Sequence, residues 1–234
     1  MIFDAGISKE EGKTSVNKID RIRTEFEKRK DPARAVSMAK YMRDQFPFYG
    51  IPAPERRKAY REILKEEKKK KVIDWDLLDA CYRDDHREFQ YFVYDYLLAM
   101  KRYLVYEDIP RIQTYIQKKS WWDTIDFLDQ VIGEIGLKDD RVDALMEQWS
   151  VDDDFWLRRI AIDHQLGRKD QMKPELLAKI IKNNLDSDEF FIQKAIGWSL
   201  RDYSKTNPQW VRGFIEEHRG QMTPLSLREA CRYL

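Results

Sequence analysis

The sequence predicts an all-α chain, an array of antiparallel helix pairs stacked as an α–α solenoid, and three observations carry that expectation. Strand signals are almost absent: no Asn-Gly or Asp-Gly turn stands between alternating apolar segments, and glycine occurs only 9 times in 234 residues. Apolar residues recur at spacings of three and four along most of the chain. An acidic block followed by aromatic and apolar residues returns with a period of about 34 residues.

Residues 1–14 are polar and are expected to form a frayed extension, with 15–234 folding as a single repeat domain. The first apolar stripe runs through 19–26. Asp31-Pro32 then opens a helix, because the Asp carboxylate accepts from free N–H groups of the first turn and Pro has no N–H to leave unbonded. The four-lysine run Lys68 to Lys71 reads as a solvated helix end, where the macrodipole favours cations. Asp74 opens the next helix. In 88–100, Phe89, Phe92, Val93, Tyr96, Leu97 and Met100 form one apolar face. The same spacing recurs in 109–116, 142–149, 155–166, 176–185 and 190–200, with start signals at Asp153, Pro174, Asp188, Asn207-Pro208 and Thr223-Pro224. About twelve or thirteen helices of 8–18 residues with short polar connections are expected.

The repeat is carried by Asp85-His86-Arg87-Glu88-Phe89-Gln90, Asp153-Asp154-Phe155-Trp156-Leu157-Arg158 and Asp188-Glu189-Phe190-Phe191-Ile192-Gln193, whose starts lie 68 and 35 residues apart. These are two periods and one, the size of helix-pair repeats of the HEAT or TPR kind. The missing copy should open near residue 119, where the chain reads Lys119-Ser120-Trp121-Trp122-Asp123. A repeat whose residues differ from its neighbours is the first pointer to a site.

Composition excludes several classes. Lys+Arg (43) and Asp+Glu (42) nearly cancel, so any nucleic-acid contact must come from a local basic face. No apolar run approaches a membrane span or a signal sequence, and the cytoplasm (a bacterial cytosol or nucleoid) is the expected compartment. Cys81 and Cys231 have no metal spacing and are expected to be buried, reduced thiols. The three histidines lie on separate helices, so no metal site is expected. Phosphate loops, dinucleotide fingerprints and nucleophile elbows are absent from the sequence.

What remains is a set of aromatic and charged residues at helical spacing. Trp122 and Asp126 are four apart and share a helix face; Trp198 and Arg201 are three apart; Arg159 holds the repeat position that Lys194 holds one period later. Singly, each reads as well as core packing or a surface ion pair. Together, a carboxylate between indoles suits a cation, since indole faces attract positive charge by about 0.5–2 kcal/mol each. Arginines beside it suit a polyanion that carries the cation. A cation embedded in a polyanion describes an N-alkylated purine in DNA. Within the 121–126 segment, Trp121 and Asp123 read as packing and capping, and Trp122 and Asp126 as the working pair.

The strings Lys119-Ser120-Trp121-Trp122-Asp123-Thr124-Ile125-Asp126 and Phe190-Phe191-Ile192-Gln193-Lys194-Ala195-Ile196-Gly197-Trp198 closely resemble the AlkD-like family of DNA alkylation repair glycosylases. Met38-Ala39-Lys40-Tyr41-Met42, Pro54-Glu55-Arg56-Arg57, Arg201-Asp202-Tyr203-Ser204-Lys205-Thr206-Asn207-Pro208 and Leu225-Ser226-Leu227-Arg228-Glu229-Ala230 extend the resemblance from about residue 17 to the end. It implies a superhelical array of HEAT-like repeats with a concave DNA-binding face, excising cationic N3- and N7-alkylated purines (3-methyladenine, 7-methylguanine) from double-stranded DNA. It also implies hydrolysis by a monofunctional enzyme, with no cofactor, no metal, no membrane and no obligate protein partner, acting as a monomer. Matched by motif, Asp126 is the catalytic carboxylate, Trp122 and Trp198 its aromatic walls, Arg159 and Arg201 contacts to the DNA backbone, and Tyr41 and Arg57 residues facing the duplex. One departure stands near the end: Leu227 replaces a family Lys, which touches the last DNA contacts and not the catalytic set. Two other readings remain open, a non-catalytic repeat protein that binds unusual or damaged DNA and a peptide-binding repeat protein.

Overall fold

The structure, a computed structural model, describes residues 7–234. Its regular elements are fourteen α-helices and four single 3-10 turns, with no strand among the described residues. Of the extension expected over 1–14, residues 1–6 lie outside the described residues, and the first helix already begins at Ile7. The chain divides into two compact units, one ending at Leu104 and the other beginning at Val105.

The first unit contains α1 (Ile7–Glu27), α2 (Pro32–Tyr41), α3 (Ala53–Ala59), α4 (Arg61–Lys70), α5 (Trp75–Arg83) and α6 (Arg87–Ala99). The expected caps are in place: the Asp31 carboxylate accepts from Arg34 N at 3.0 Å and that of Asp74 from Leu77 N at 3.0 Å. The lysine run closes α4, and Lys71 takes the left-handed conformation there. Much of the aromatic content is core. Phe26, Tyr60, Phe89, Phe92 and Tyr96 are fully buried, and Phe26 meets Phe89 edge-on with centroids 5.1 Å apart. Glu88, from the first repeat block, is also buried; its carboxylate accepts from the amides of Tyr49, Gly50 and Ile51 at 2.9–3.1 Å, which offsets the desolvation of its charge.

The second unit contains α7 (Ile109–Ile116), α8 (Trp122–Gly136), α9 (Arg141–Trp149), α10 (Phe155–Asp163), α11 (Pro174–Lys182), α12 (Phe190–Ser204), α13 (Pro208–His218) and α14 (Pro224–Ala230). Here α8, α10, α12 and α14 pack successively side by side, while α9 and α11 pack on each other in a second row. This is the helix-pair repeat anticipated from the sequence period, and the period reappears in the bonds between successive repeats. Asn184 Nδ2 donates to Ser150 O across 34 residues, Arg168 to Gly133 O across 35, and Ser226 Oγ to Gln193 O across 33. The start signals at Asp153 and Asp188 are one residue early: Asp154 and Glu189 cap α10 and α12. The site helix differs, since Trp121 is its N-cap and makes no side-chain bond there.

Two glycines let the inner row close. A Cβ on Gly133 of α8 would lie 2.2 Å from the His164 carbonyl oxygen, and one on Gly197 of α12 would lie 2.4 Å from Glu229 Cβ. Neither obstacle is the free end of a side chain, so helix axes must separate if either glycine gains a methyl. The cysteines divide: Cys81 is buried, and burial pushes its thiol well up, whereas Cys231 is exposed. The expectation of two buried thiols fails at Cys231 because α14 ends at Ala230 and a terminal 3-10 turn begins there.

Gly133→Ala is expected to destabilise the chain by about 1–3 kcal/mol through overpacking. Gly213→Ala, on an exposed stretch of α13 with open space around the added methyl, is expected to raise stability by about 0.5–1 kcal/mol through helix propensity. Chemical denaturation of the two variants beside the unmodified chain checks both signs.

Candidate active site on the second unit

The helices α8, α10 and α12 begin at one aromatic cluster. Trp121 meets Trp156 and Phe191 edge-on, at 6.1 and 5.5 Å between centroids, and Trp156 lies 4.8 Å from Phe191. Phe155 stacks on Phe191 at 6.3 Å with the rings 6° from parallel. The acidic-aromatic repeat block therefore serves packing at each helix start. Trp121 packs within this cluster in place of a capping acid, and Asp123 is buried in the first turn of α8.

One turn further along α8, the Asp126 carboxylate meets Arg159 of α10. Arg159 Nε donates to Asp126 Oδ1 at 2.8 Å, and a terminal guanidinium nitrogen lies 2.8 Å from the same oxygen. The other terminal nitrogen donates to the Phe191 carbonyl at 2.6 Å. The guanidinium also lies over the Trp198 ring, 5.2 Å from its centroid. Four of the residues expected in the site, Trp122, Asp126, Arg159 and Trp198, thus fall on three adjacent helices. The Asp126 side chain is 20% exposed and that of Arg159 only 2%. Arg159, expected at a DNA backbone, is turned inward and committed to protein acceptors.

Two buried carboxyls lie behind the pair. Asp163, one turn along α10, has Oδ2 3.7 Å from Arg159, and Asp129, one turn along α8, completes a trio in which one oxygen of each acid lies within 4.8 Å of the others. Ser199 of α12 donates to Asp163 Oδ1 at 2.9 Å, with the Ile162 carbonyl as its second acceptor at 3.0 Å. Asp129 Oδ1 and Asp163 Oδ2 accept no hydrogen bond. Burial pushes Asp129 well above the carboxylate range, with Asp163 and Asp126 adding to the rise, and pushes Asp163 up to about 6 against the pull of Arg159. Burial likewise raises Asp126, opposed by Arg159. Arg159 itself is held above its ordinary value: burial acts against its charge, and Asp163 and Asp126 outweigh it. The trio is the size of a metal site, but Arg159 already supplies a cation to it.

Two further cations lie near Trp198. Lys194 Nζ lies 5.4 Å from its ring centroid and the Arg201 guanidinium 6.0 Å. Both are tied to Glu229 of α14, at 2.7 Å each, and the close approach at Gly197 brings α14 near enough for that. Tyr41 and Arg57 belong to the first unit, where Tyr41 is 71% exposed at the end of α2 and the Arg57 side chain is 53% exposed with Nε 3.4 Å from Asp95. Asp129, Asp163, Ser199 and Glu229 were not anticipated. The signal existed: Asp129 stands three after Asp126 and Asp163 four after Arg159, the spacing of neighbours on a helix face.

The comparisons agree with this architecture. The family described as DNA alkylation repair enzyme matches residues 22–234, and the chain belongs to it. A solved structure described as a predicted DNA alkylation repair enzyme from Enterococcus faecalis is 37% identical, with a TM-score of 0.81, over 88% of this chain and 97% of that one. That likeness fits the helical repeat fold. No curated protein matches the chain. The family assigns the chain a role in the repair of alkylated DNA, and no helix among the described residues is long and apolar enough to cross a membrane.

The buried acid gives a pH dependence. Asp163 titrates at about 6 in the fold, against about 4 for a free Asp side chain. The fold favours its protonated form, so the stability it contributes is full below about pH 4 and is lost as pH rises through about 6. Over that window the unmodified chain is expected to lose stability relative to Asp163→Asn at up to about 1.4 kcal/mol per pH unit. Denaturation midpoints measured at a series of pH values check this, and parallel curves contradict it.

Proposed function

We propose that this chain is a monofunctional DNA glycosylase that hydrolyses the N-glycosidic bond of cationic N3- and N7-alkylated purines in double-stranded DNA. The observation that carries the reading is the Asp126 carboxylate: partly exposed, fixed by a buried guanidinium, and set on the helix face of Trp122 opposite an α12 that presents Trp198. An ion pair of this kind requires Asp126 as the carboxylate. Its free edge can stabilise positive charge, and fixed charge in a partly desolvated site is often the largest catalytic contribution.

The chemistry needs little else. Alkylation at N3 or N7 gives the purine a positive charge, so the base leaves with the electron pair of the C1′–N bond and becomes neutral without a general acid. The sugar passes through an oxocarbenium-like state. Water adds to C1′ and loses a proton, leaving an abasic site. Asp126 faces the cationic sugar and base and orients the water; Trp122 and Trp198 pack against the deoxyribose and its neighbours. No lysine amine is assigned an attack on C1′, so no lyase step is included. Arg159, expected from the resemblance to touch the DNA backbone, here orients Asp126. Arg201, held by Glu229 and 20% exposed, is the backbone contact beside Trp198. Tyr41 and Arg57 are assigned to duplex contacts through their exposure on the first unit. The chain acts as a monomer in the bacterial cytosol in this reading.

Asp126→Asn is expected to lower excision of 7-methylguanine from methylated duplex DNA by roughly 100-fold or more while leaving DNA affinity nearly unchanged. Release of methylated base at the unmodified rate removes Asp126 from the role. Arg201→Ala is expected to weaken binding to all duplexes alike and to reduce the dependence of log K on log salt by about one unit. Binding isotherms at several salt concentrations give that slope.

A further inference from the structure

We propose that Asp129 and Asp163 are positioning residues of this site: a buried carboxyl pair sharing one proton that sets how firmly Arg159 is held against Asp126. The proposal rests on reading Asp126 as the working carboxylate, and it names the device that keeps that carboxylate in place.

The geometry requires a proton. Three carboxyls surround one guanidinium, and both Asp129 Oδ1 and Asp163 Oδ2 are buried acceptors that receive no bond. Two carboxylates at this separation cannot both ionise cheaply in a desolvated pocket, and a proton on one converts an orphan acceptor into a donor for the other. Such a pair titrates as a unit. The direction of both shifts, upward through burial first, agrees with it.

The surroundings leave these groups to one another. From α8 the pair faces Asp126, and from α10 Arg159. The Ser199 hydroxyl of α12 faces Asp163, while Lys194 and Arg201 of that helix are bound to Glu229 of α14. On α9, Arg141 pairs with Glu107 and Asp139, Asp143 with Lys173, and Glu147 with Lys179 of α11. Arg111 of α7 is exposed.

The consequence concerns Arg159. One terminal nitrogen of its guanidinium lies 2.8 Å from Asp126 and 3.7 Å from Asp163, so the two acids compete for the same group. While the pair keeps its proton, Asp126 is the nearest full negative charge and the bond to it dominates. When the proton leaves, Asp163 competes with a full charge for that nitrogen, and the bond to Asp126 loosens. Asp163→Asn fixes an uncharged, hydrogen-bonding side chain of the same shape and so locks the anchored state, whereas Asp129→Asn leaves Asp163 to ionise beside Arg159.

The test follows the Arg159 Nε–H resonance of the full-length, isotope-labelled chain without DNA, from about pH 5 to about pH 8. In the unmodified chain it is expected to titrate once, moving away from its strongly bonded position as pH rises. In Asp163→Asn it is expected to stay at the bonded position throughout, and in Asp129→Asn to move at lower pH than in the unmodified chain. Excision of 7-methylguanine gives the second readout: the unmodified chain is expected to lose rate above that titration by up to about tenfold per pH unit, and Asp163→Asn to lack that limb. A resonance that does not move with pH in the unmodified chain, or an unaltered alkaline limb in Asp163→Asn, overturns the proposal. Because the resonance is read without substrate, it decides the matter whether or not the chain excises alkylated bases.

Discussion

A guanidinium whose side chain is 2% exposed stays charged inside a helix stack only if carboxylates and carbonyls replace the water it has lost. Arg159 meets that requirement with Asp126 from α8, Asp163 from its own helix and the Phe191 carbonyl from α12. The same bonds tie three successive helices of the inner row at one point. Removing a single partner of a buried pair of this kind costs about 3–5 kcal/mol, because the survivor is left uncompensated. Fold and candidate site therefore share one anchor, and what orients Asp126 also holds α8 to α10.

That anchor depends on how closely the helices approach, and the approach is set by side chains that are missing. At Gly133 the α8 backbone meets the end of α10, and at Gly197 α12 meets α14. The first contact brings the acids of α8 beside the guanidinium of α10; the second brings Glu229 within reach of Lys194 and Arg201. The repeat thus offers the same kind of place twice with different results. Arg159 pairs back to the preceding helix and is buried, whereas Lys194, its equivalent one period later, pairs forward to α14 and stays partly exposed.

Much of this was legible in the sequence, for identifiable reasons. Helix starts at Asp31, Asp74, Pro174, Asn207 and Thr223 were readable because capping is local chemistry, decided within three or four residues. The period of about 34 was readable because each repeat must bury the same face, and it returns as bonds across 33–35 residues. Trp122 and Asp126 stood out because their repeat departs from its neighbours. The burial of Arg159 was not legible, since Arg and Lys at one repeat position look alike until the packing around each is known. Arg56 and Arg57 make the same point: adjacent in sequence, one lies buried over Tyr91 and the other is exposed. Asp129 and Asp163 read as ordinary helix acids, because only the fold places them behind the same guanidinium.

The charge arrangement also shows how a nearly neutral protein can carry strongly local charge. Asp126, Asp129 and Asp163 cluster at the Arg159 guanidinium, which itself lies over the Trp198 ring. Lys194 and Arg201, also near that indole, share the single carboxylate of Glu229 and leave a net positive charge. The total charge of the chain cannot register such a pattern, because it depends on which acids and bases the helix rows bring together.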